Sequence, residues 1–177
     1  MSEFFENVTG QQDIFSKLSS HIPGFSGYVE RSNRRAADKL LRETVARRFD
    51  ELYRRASTLQ VELVNAGRLS YLDELETAVN RIQTFMDKVA TASYGYAGFF
   101  DAVKINEEQL EKLYSYDMAF FSLADQINLA LDNVEHSLMD DEGLPAAIRN
   151  LTSLSRDAVQ TFERRYEVIN GAQSSGG

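Results

Sequence analysis

The sequence contains no cysteine and no tryptophan, and it has only two prolines and two histidines. Without cysteine the chain can form no disulfide, no thiolate metal site, no iron–sulfur cluster and no cysteine nucleophile. Uncharged stretches such as Val89–Phe100 are about half as long as the roughly 20 apolar residues that a membrane-spanning helix needs. The first residues, MSEFFENVTG, lack the basic start and the apolar run of a secretory signal. We therefore predict a cytoplasmic location.

The composition is that of one globular domain. The chain has 177 residues, 43% of them hydrophobic and 26% charged, so it can bury one sizeable core without disulfides or metals. The net charge is −8. That sign disfavours generic binding to nucleic acid, which depends on an excess of lysine and arginine.

Helical periodicity is the dominant pattern, and no segment alternates apolar and polar residues as a strand does. It predicts a short helix at about 11–21 and four long helices, at about 28–66, 70–93, from 106 to the turn at 140–143, and from 145 to about 170. Short links between long amphipathic helices are typical of bundles. The predicted fold is all-α, an antiparallel up-down-up-down four-helix bundle with a short N-terminal helix. Its segments are 1–27 with the short helix, 28–170 forming the bundle, and a disordered tail at 171–177.

Apolar stripes and helix-end residues support these boundaries. The stripe of the first long helix steps by three and four residues: Ala37, Leu41, Val45, Phe49, Leu52, Ala56, Leu59, Leu63, Ala66. Gly67 suits the position after a helix, where the backbone often takes positive φ. Ser70 with Asp73 has the spacing of a capping box and predicts the start of the next helix. The stripe of the last helix is Ile148, Leu151, Ala158, Phe162, Tyr166, Ile169.

Charge is segregated along the chain. Residues 28–66 contain nine basic and six acidic residues, whereas residues 101–142 contain two lysines and eleven acidic residues. Solvated helix faces and attraction between the two helices would explain this pattern. Alternatively, Arg31, Arg34 and Arg35 bind an anionic partner or a lipid surface.

The residues do not form a recognisable catalytic or metal-binding motif. A di-iron bundle needs a Glu-x-x-His motif on each of two helices, and neither His21 nor His136 follows a glutamate at that spacing. Asp132, Glu135 and His136 could at most form a mononuclear metal site. A solvated or helix-capping role for these side chains is the simpler interpretation. No glycine-rich phosphate loop or nucleophile elbow occurs. We predict no catalytic residue, no metal and no cofactor.

Two further features invite a functional interpretation. Asp117 interrupts the apolar stripe of the third long helix, where a charge is costly unless it is paired. It either fixes helix register through a partner (Tyr114, Tyr116 or an arginine of the first long helix), reaches solvent, or serves as a functional carboxylate in a cavity. An aromatic loop provides candidate contact residues, which either anchor a partner or close one end of the bundle: Tyr94, Tyr96, Phe99 and Phe100.

Together these features predict a non-enzymatic helical protein–protein interaction or scaffold module. The expected partner is a protein, and the chain itself is a candidate partner through self-association. A first alternative is peripheral membrane association through the N-terminal segment and the three arginines. A second is an atypical metal-binding, ferritin-like bundle.

Overall fold

The computed structural model describes residues 13–30, 34–92 and 107–174. In these ranges the chain forms helices and turns and no strand, so the all-α prediction is confirmed. The helices are α1 (residues 13–21), α2 (Phe25–Glu30), α3 (Arg34–Asn65), α4 (Leu72–Thr91), α5 (Glu107–His136) and α6 (Gly143–Ser174), with a 3₁₀ turn at Leu69–Tyr71. None of the described helices is long and apolar enough to cross a bilayer.

The core lies between α3, α4, α5 and α6. The closest packing is between α3 and α4, between α5 and α6, and between α4 and α6, whereas α3 and α5 touch more lightly. One phenylalanine from each helix meets at the centre. The ring of Phe85 lies 4.1 Å from that of Phe49, 5.1 Å from that of Phe120 and 6.3 Å from that of Phe162, measured between centroids. These contacts join all four helices.

The apolar stripes predicted from periodicity account for most of this core. Every stripe position of α3 from Ala37 to Leu63 is buried. The stripe of α6 shifts by one residue, because Arg165 is buried where Tyr166 was expected. Tyr166 is half exposed. Steps of three and four are both compatible with a helical stripe, so periodicity alone cannot choose between neighbours.

Several predicted boundaries differ from the observed ones. The capping box at Ser70 is wrong, because a 3₁₀ turn precedes α4 and the residue at its N-cap, Tyr71, makes no side-chain capping hydrogen bond. The helix expected at 28–66 is described as α2 and α3, and residues 31–33 lie outside the described ranges. Helix α6 continues through residues 171–174, the first part of the expected tail.

Helix α3 ends in a Schellman motif. Gly67 has a φ of 72°, which favours glycine because a side chain would be strained there. Its N–H donates to the carbonyl of Val64, and the N–H of Arg68 donates to the carbonyl of Leu63, the two bonds that define the motif. The turn therefore reverses the chain and fixes the position of Arg68.

The described N-terminal residues dock between the first halves of α3 and α5. Leu18, Ile22 and Phe25 are almost completely buried in the main core. The ring of Phe25 meets Tyr114 edge-on at 6.2 Å, and the His21 ring stacks on Phe121 at 4.8 Å. Residues 13–30 thus contribute to the same core as the long helices.

Candidate interaction surface

Most candidate contact residues lie outside the described part of the chain. This holds for Arg31 and for the aromatic loop residues Tyr94, Tyr96, Phe99 and Phe100. Arg34 and Arg35 are the first two residues of α3, and their side chains are not described. The proposals for these residues therefore stay predictions.

Asp117 is buried and forms an ion pair with Arg165 of α6. The Nε and Nη2 atoms of Arg165 donate to the two carboxylate oxygens of Asp117 at 2.7 and 3.2 Å. Both side chains are 2% exposed. A bidentate arginine–carboxylate contact of this kind is directional as well as strong. It therefore links α5 and α6 at a defined register.

The sequence contained a partial signal for this pair. Asp117 is four residues after Leu113 and three before Phe120, and Arg165 is three residues after Phe162. Both therefore occupy stripe positions, one step from rings that pack 6.4 Å apart. The expected partners of Asp117 did not include Arg165, because four-residue spacing placed Tyr166 in the stripe.

A row of arginines on α3 spans the lighter contact with α5. Arg48 donates to Asp125 at 3.2 Å. Seven residues further on, Arg55 donates to the carbonyl and side-chain oxygens of Asn128 at 3.1 and 2.8 Å. Its Nη2 also pairs with Asp132 and with Glu135.

Arg55 therefore bonds three residues of one α5 face. Burial acts to lower the pKa of Arg55, but the hydrogen bonds to Asp132 and Glu135 outweigh it and raise the pKa above that of an ordinary arginine. Arg55 consequently keeps its charge throughout the working pH range. Part of the complementary charge on α3 and α5 is thus used within the chain.

The carboxylates considered for a mononuclear metal site are engaged in this row. Asp132 and Glu135 pair with Arg55, and Nδ1 of His136 lies 2.7 Å from the main-chain carbonyl oxygen of Asp132. Within the described ranges, no three histidine, aspartate or glutamate side chains converge as metal ligands would.

A cleft of about 380 Å³ opens between the docked N-terminal residues and the helices α3 and α5. Its charged lining consists of Arg47, Arg48, Glu51 and Asp125, with the ring of His21 at one side. Arg48 already contacts both carboxylates, at 3.6 Å for Glu51 and 3.2 Å for Asp125. The balanced charge of this lining selects no particular class of ligand.

Exposed apolar side chains are concentrated at the C-terminal end of α3 and in the turns beside it. We define the Arg68 end as residues 61–76 and 137–146, two chain segments that Arg68 joins. Its Nε donates to the carbonyl of Leu138 at 3.1 Å, and its Nη1 pairs with Asp141. Leu69 follows Arg68 in the sequence, and Met139 follows Leu138. These two residues therefore lie on adjoining turns.

Four of the six large apolar side chains that are exposed in the described residues belong to this end. They are 50–75% accessible: Val61, Val64, Leu69 and Met139. The other two, Leu129 on α5 and Tyr166 on α6, fall outside these two segments of the chain. Single exposed apolar residues are ordinary on a protein surface, whereas a group of them marks a contact site.

The Arg68 end is also strongly acidic. Its only basic residue is Arg68, against seven acidic residues, a net charge of −6: Glu62, Asp73, Glu74, Glu76, Asp140, Asp141 and Glu142. Asp140 has a local structural role as well, because its Oδ1 accepts the N–H of Glu142 at 3.0 Å. Exposed apolar groups within an acidic surround therefore characterise this surface.

Comparisons with known proteins give no relative for this chain. No family model matches it, and neither the curated proteins nor the solved structures contain a match.

Proposed function

We propose that this protein is a non-enzymatic helical interaction module that holds a protein partner at the Arg68 end. The observation that carries the proposal is that four exposed large apolar side chains fall in the two segments joined by Arg68, each at least half exposed: Val61, Val64, Leu69 and Met139. Covering such side chains on association removes apolar surface from water, which is the main favourable term in most protein–protein binding.

The scaffold in this proposal is an antiparallel four-helix bundle. The residue pairs that link α3 to α5 rise together, from Arg48–Asp125 to Arg55–Asp132, which supports a parallel relation between these two helices. Short turns support antiparallel pairs for α3 with α4 and for α5 with α6. An up-down-up-down order accommodates both relations.

The buried ion pair and the row of arginines support a rigid arrangement of helices α3, α5 and α6. Arg165 ties α6 to α5, and Arg48, Arg55 and Arg68 tie α3 to α5 or to the turn after it. Contact residues on packed helices, or on turns held by ion pairs, lose less conformational freedom on binding than residues on flexible segments do.

The test is affinity isolation from the source cells with three baits, followed by mass spectrometry. The baits are the unaltered chain, the triple variant Val64→Ser/Leu69→Ser/Met139→Ser, and the control variant Leu129→Ser. Leu129 is as exposed as the three residues changed in the triple variant, but it precedes Met139 by ten residues. Ten residues of helix span roughly 15 Å, at about 1.5 Å per residue. A protein retained by the unaltered chain and the control but lost from the triple variant supports the proposal. If no protein distinguishes the baits, the Arg68 end is not the contact surface.

Self-association is a second candidate function, through the charged faces of α3 and α5 rather than through the Arg68 end. The remaining charge on α3 and α5 would attract a second copy, and salt would weaken that contact because exposed charges are screened beyond about 8–10 Å. Sedimentation at high protein concentration measures it. A strict monomer at low salt would remove the chain itself as a partner.

A further inference from the structure

We infer that the partner bound at the Arg68 end is a basic amphipathic segment of another protein, one that presents apolar and cationic side chains on the same face. This inference rests on the proposed function, because it names the kind of partner that the surface fits. It follows from the combination of apolar exposure and charge at the two joined turns.

The apolar contribution comes from side chains on both segments. Val64 lies in the last turn of α3, Leu69 begins the 3₁₀ turn, and Met139 lies in the turn after α5. Arg68 holds the two turns together through Leu138 and Asp141. An apolar stripe on a partner can therefore bridge the segments. Methionine adds an adaptable contact, since its unbranched side chain adjusts to different shapes.

The charge of the Arg68 end selects the sign of the partner. A net charge of −6 repels anionic surfaces, which include nucleic acids, acidic lipid bilayers and the Arg68 end of a second copy. Complementary potentials speed association and suppress partners of the wrong sign. Lysine or arginine beside the partner's apolar stripe is therefore the matching chemistry.

The experiment uses the full chain and three synthetic peptides of equal length. The first carries leucine and lysine at helical spacing so that leucines share one face. The second has the same composition in scrambled order, and the third replaces every lysine with glutamate. Binding is measured by fluorescence anisotropy at two salt concentrations, and the site is mapped by two-dimensional NMR of the labelled chain.

We expect the amphipathic basic peptide to bind best and to shift the resonances of residues 61–76 and 137–146. The triple variant Val64→Ser/Leu69→Ser/Met139→Ser should weaken binding by about tenfold or more, because it removes apolar area from three contacts. Leu129→Ser should leave the affinity unchanged. Thermal unfolding of each variant verifies that it is folded. Added salt should weaken binding further.

Equal binding of the scrambled peptide would overturn the inference, because charge alone would then account for it. Equal binding of the glutamate peptide, resonance shifts confined to another surface, or no binding of the basic peptide would do the same. These results are separable from a failure of the proposed function. A partner isolated with the unaltered chain and lost from the triple variant would still establish the surface, with a different partner chemistry.

Discussion

The carboxylate of Asp117 on α5 faces the guanidinium of Arg165 on α6 in a two-bond contact, and water reaches neither side chain appreciably. Burying two charges is costly, so such a pair is poor evidence for net stabilisation. What it does provide is direction, because the two bonds form only at one alignment of α5 and α6. Removing one member leaves the other charge buried.

Asp117→Ala should therefore lower the free energy of unfolding by about 3–5 kcal/mol, the usual cost of breaking a buried pair from one side. Asp117→Leu should also destabilise, because Arg165 is buried and cannot simply turn to solvent. Urea denaturation measures both variants. A loss below about 0.5 kcal/mol would put Asp117 in the range of ordinary surface substitutions and contradict the assigned role.

Two further variants separate charge from packing. Tyr166 is the neighbour of Arg165 and is half exposed, so Tyr166→Ala should have little effect. The double variant Asp117→Leu/Arg165→Met replaces both charges with apolar groups, and it should recover most of the lost stability. If the double variant were as unstable as Asp117→Ala, lost packing rather than an unpaired charge would be the cause.

The same pair illustrates how far the sequence alone predicts the structure. The helical class and the buried face of α3 followed from the spacing of apolar residues, because burying one face is what stabilises these helices. The identity of the partner of Asp117 could not be predicted from that spacing. Arg165 is 48 positions away, and pairing at that distance depends on how two helices align. Periodicity within one helix contains no information on that alignment.

The Arg68 end was missed for a related reason. Leu69 and Met139 look like unremarkable turn residues in the sequence, and it is the contact of Arg68 with the turn after α5 that joins their two segments. A signal did exist in the acidic run Asp140–Glu142, which lies in the turn predicted at 140–143. Only the folded chain places that run against Arg68.

The adjacent residues Arg54 and Arg55 provide a matched test of the α3–α5 row. Arg55→Met should lower the free energy of unfolding by about 1–2 kcal/mol, since it removes charged hydrogen bonds that are only partly shielded from water. Arg54 is 78% exposed and, among the described residues, pairs only with Asp50 of α3. Arg54→Met should therefore fall within about 0.5 kcal/mol of the unaltered chain. Equal effects of the two substitutions in urea denaturation would contradict the assigned role of Arg55.

The stabilisation that depends on the charge of Arg55 should be independent of pH between about 6 and 9. The pKa of Arg55 is raised above that of an ordinary arginine in the folded chain. A raised pKa gives stability that is fully present below the unfolded value and is lost only as the pH rises through the folded value. Urea titrations of the unaltered chain and Arg55→Met at pH 6, 7.5 and 9 should thus give a constant difference. A difference that fell steadily over this range would show that another group controls the row.

Gly67 should be sensitive to substitution through its backbone alone. Nothing lies within 4 Å of the position that a Cβ would take, but φ is 72°. Gly67→Ala should therefore cost about 1 kcal/mol, and Gly67→Asn should cost less because asparagine tolerates this conformation better. Gly171 has the same open surroundings without a positive φ, so Gly171→Ala should be neutral or slightly stabilising. Thermal unfolding checks the opposite signs, and a Gly67→Ala variant as stable as the unaltered chain would contradict the turn geometry.

The docked N-terminal residues should unfold together with the long helices. Ile22 is completely buried in the shared core, so Ile22→Ala should lower the free energy of global unfolding by about 2–5 kcal/mol, the usual cost of such a cavity. Lys17→Ala should be near neutral, because Lys17 is 58% exposed and its one ion pair within the described residues is with the exposed Asp13. Hydrogen exchange should then report one opening for residues 13–30 and for the part of α5 around Tyr114 and Phe121. If Ile22→Ala instead speeds exchange only in residues 13–30 and leaves global unfolding unchanged, the segment is a separate unit that opens before the rest.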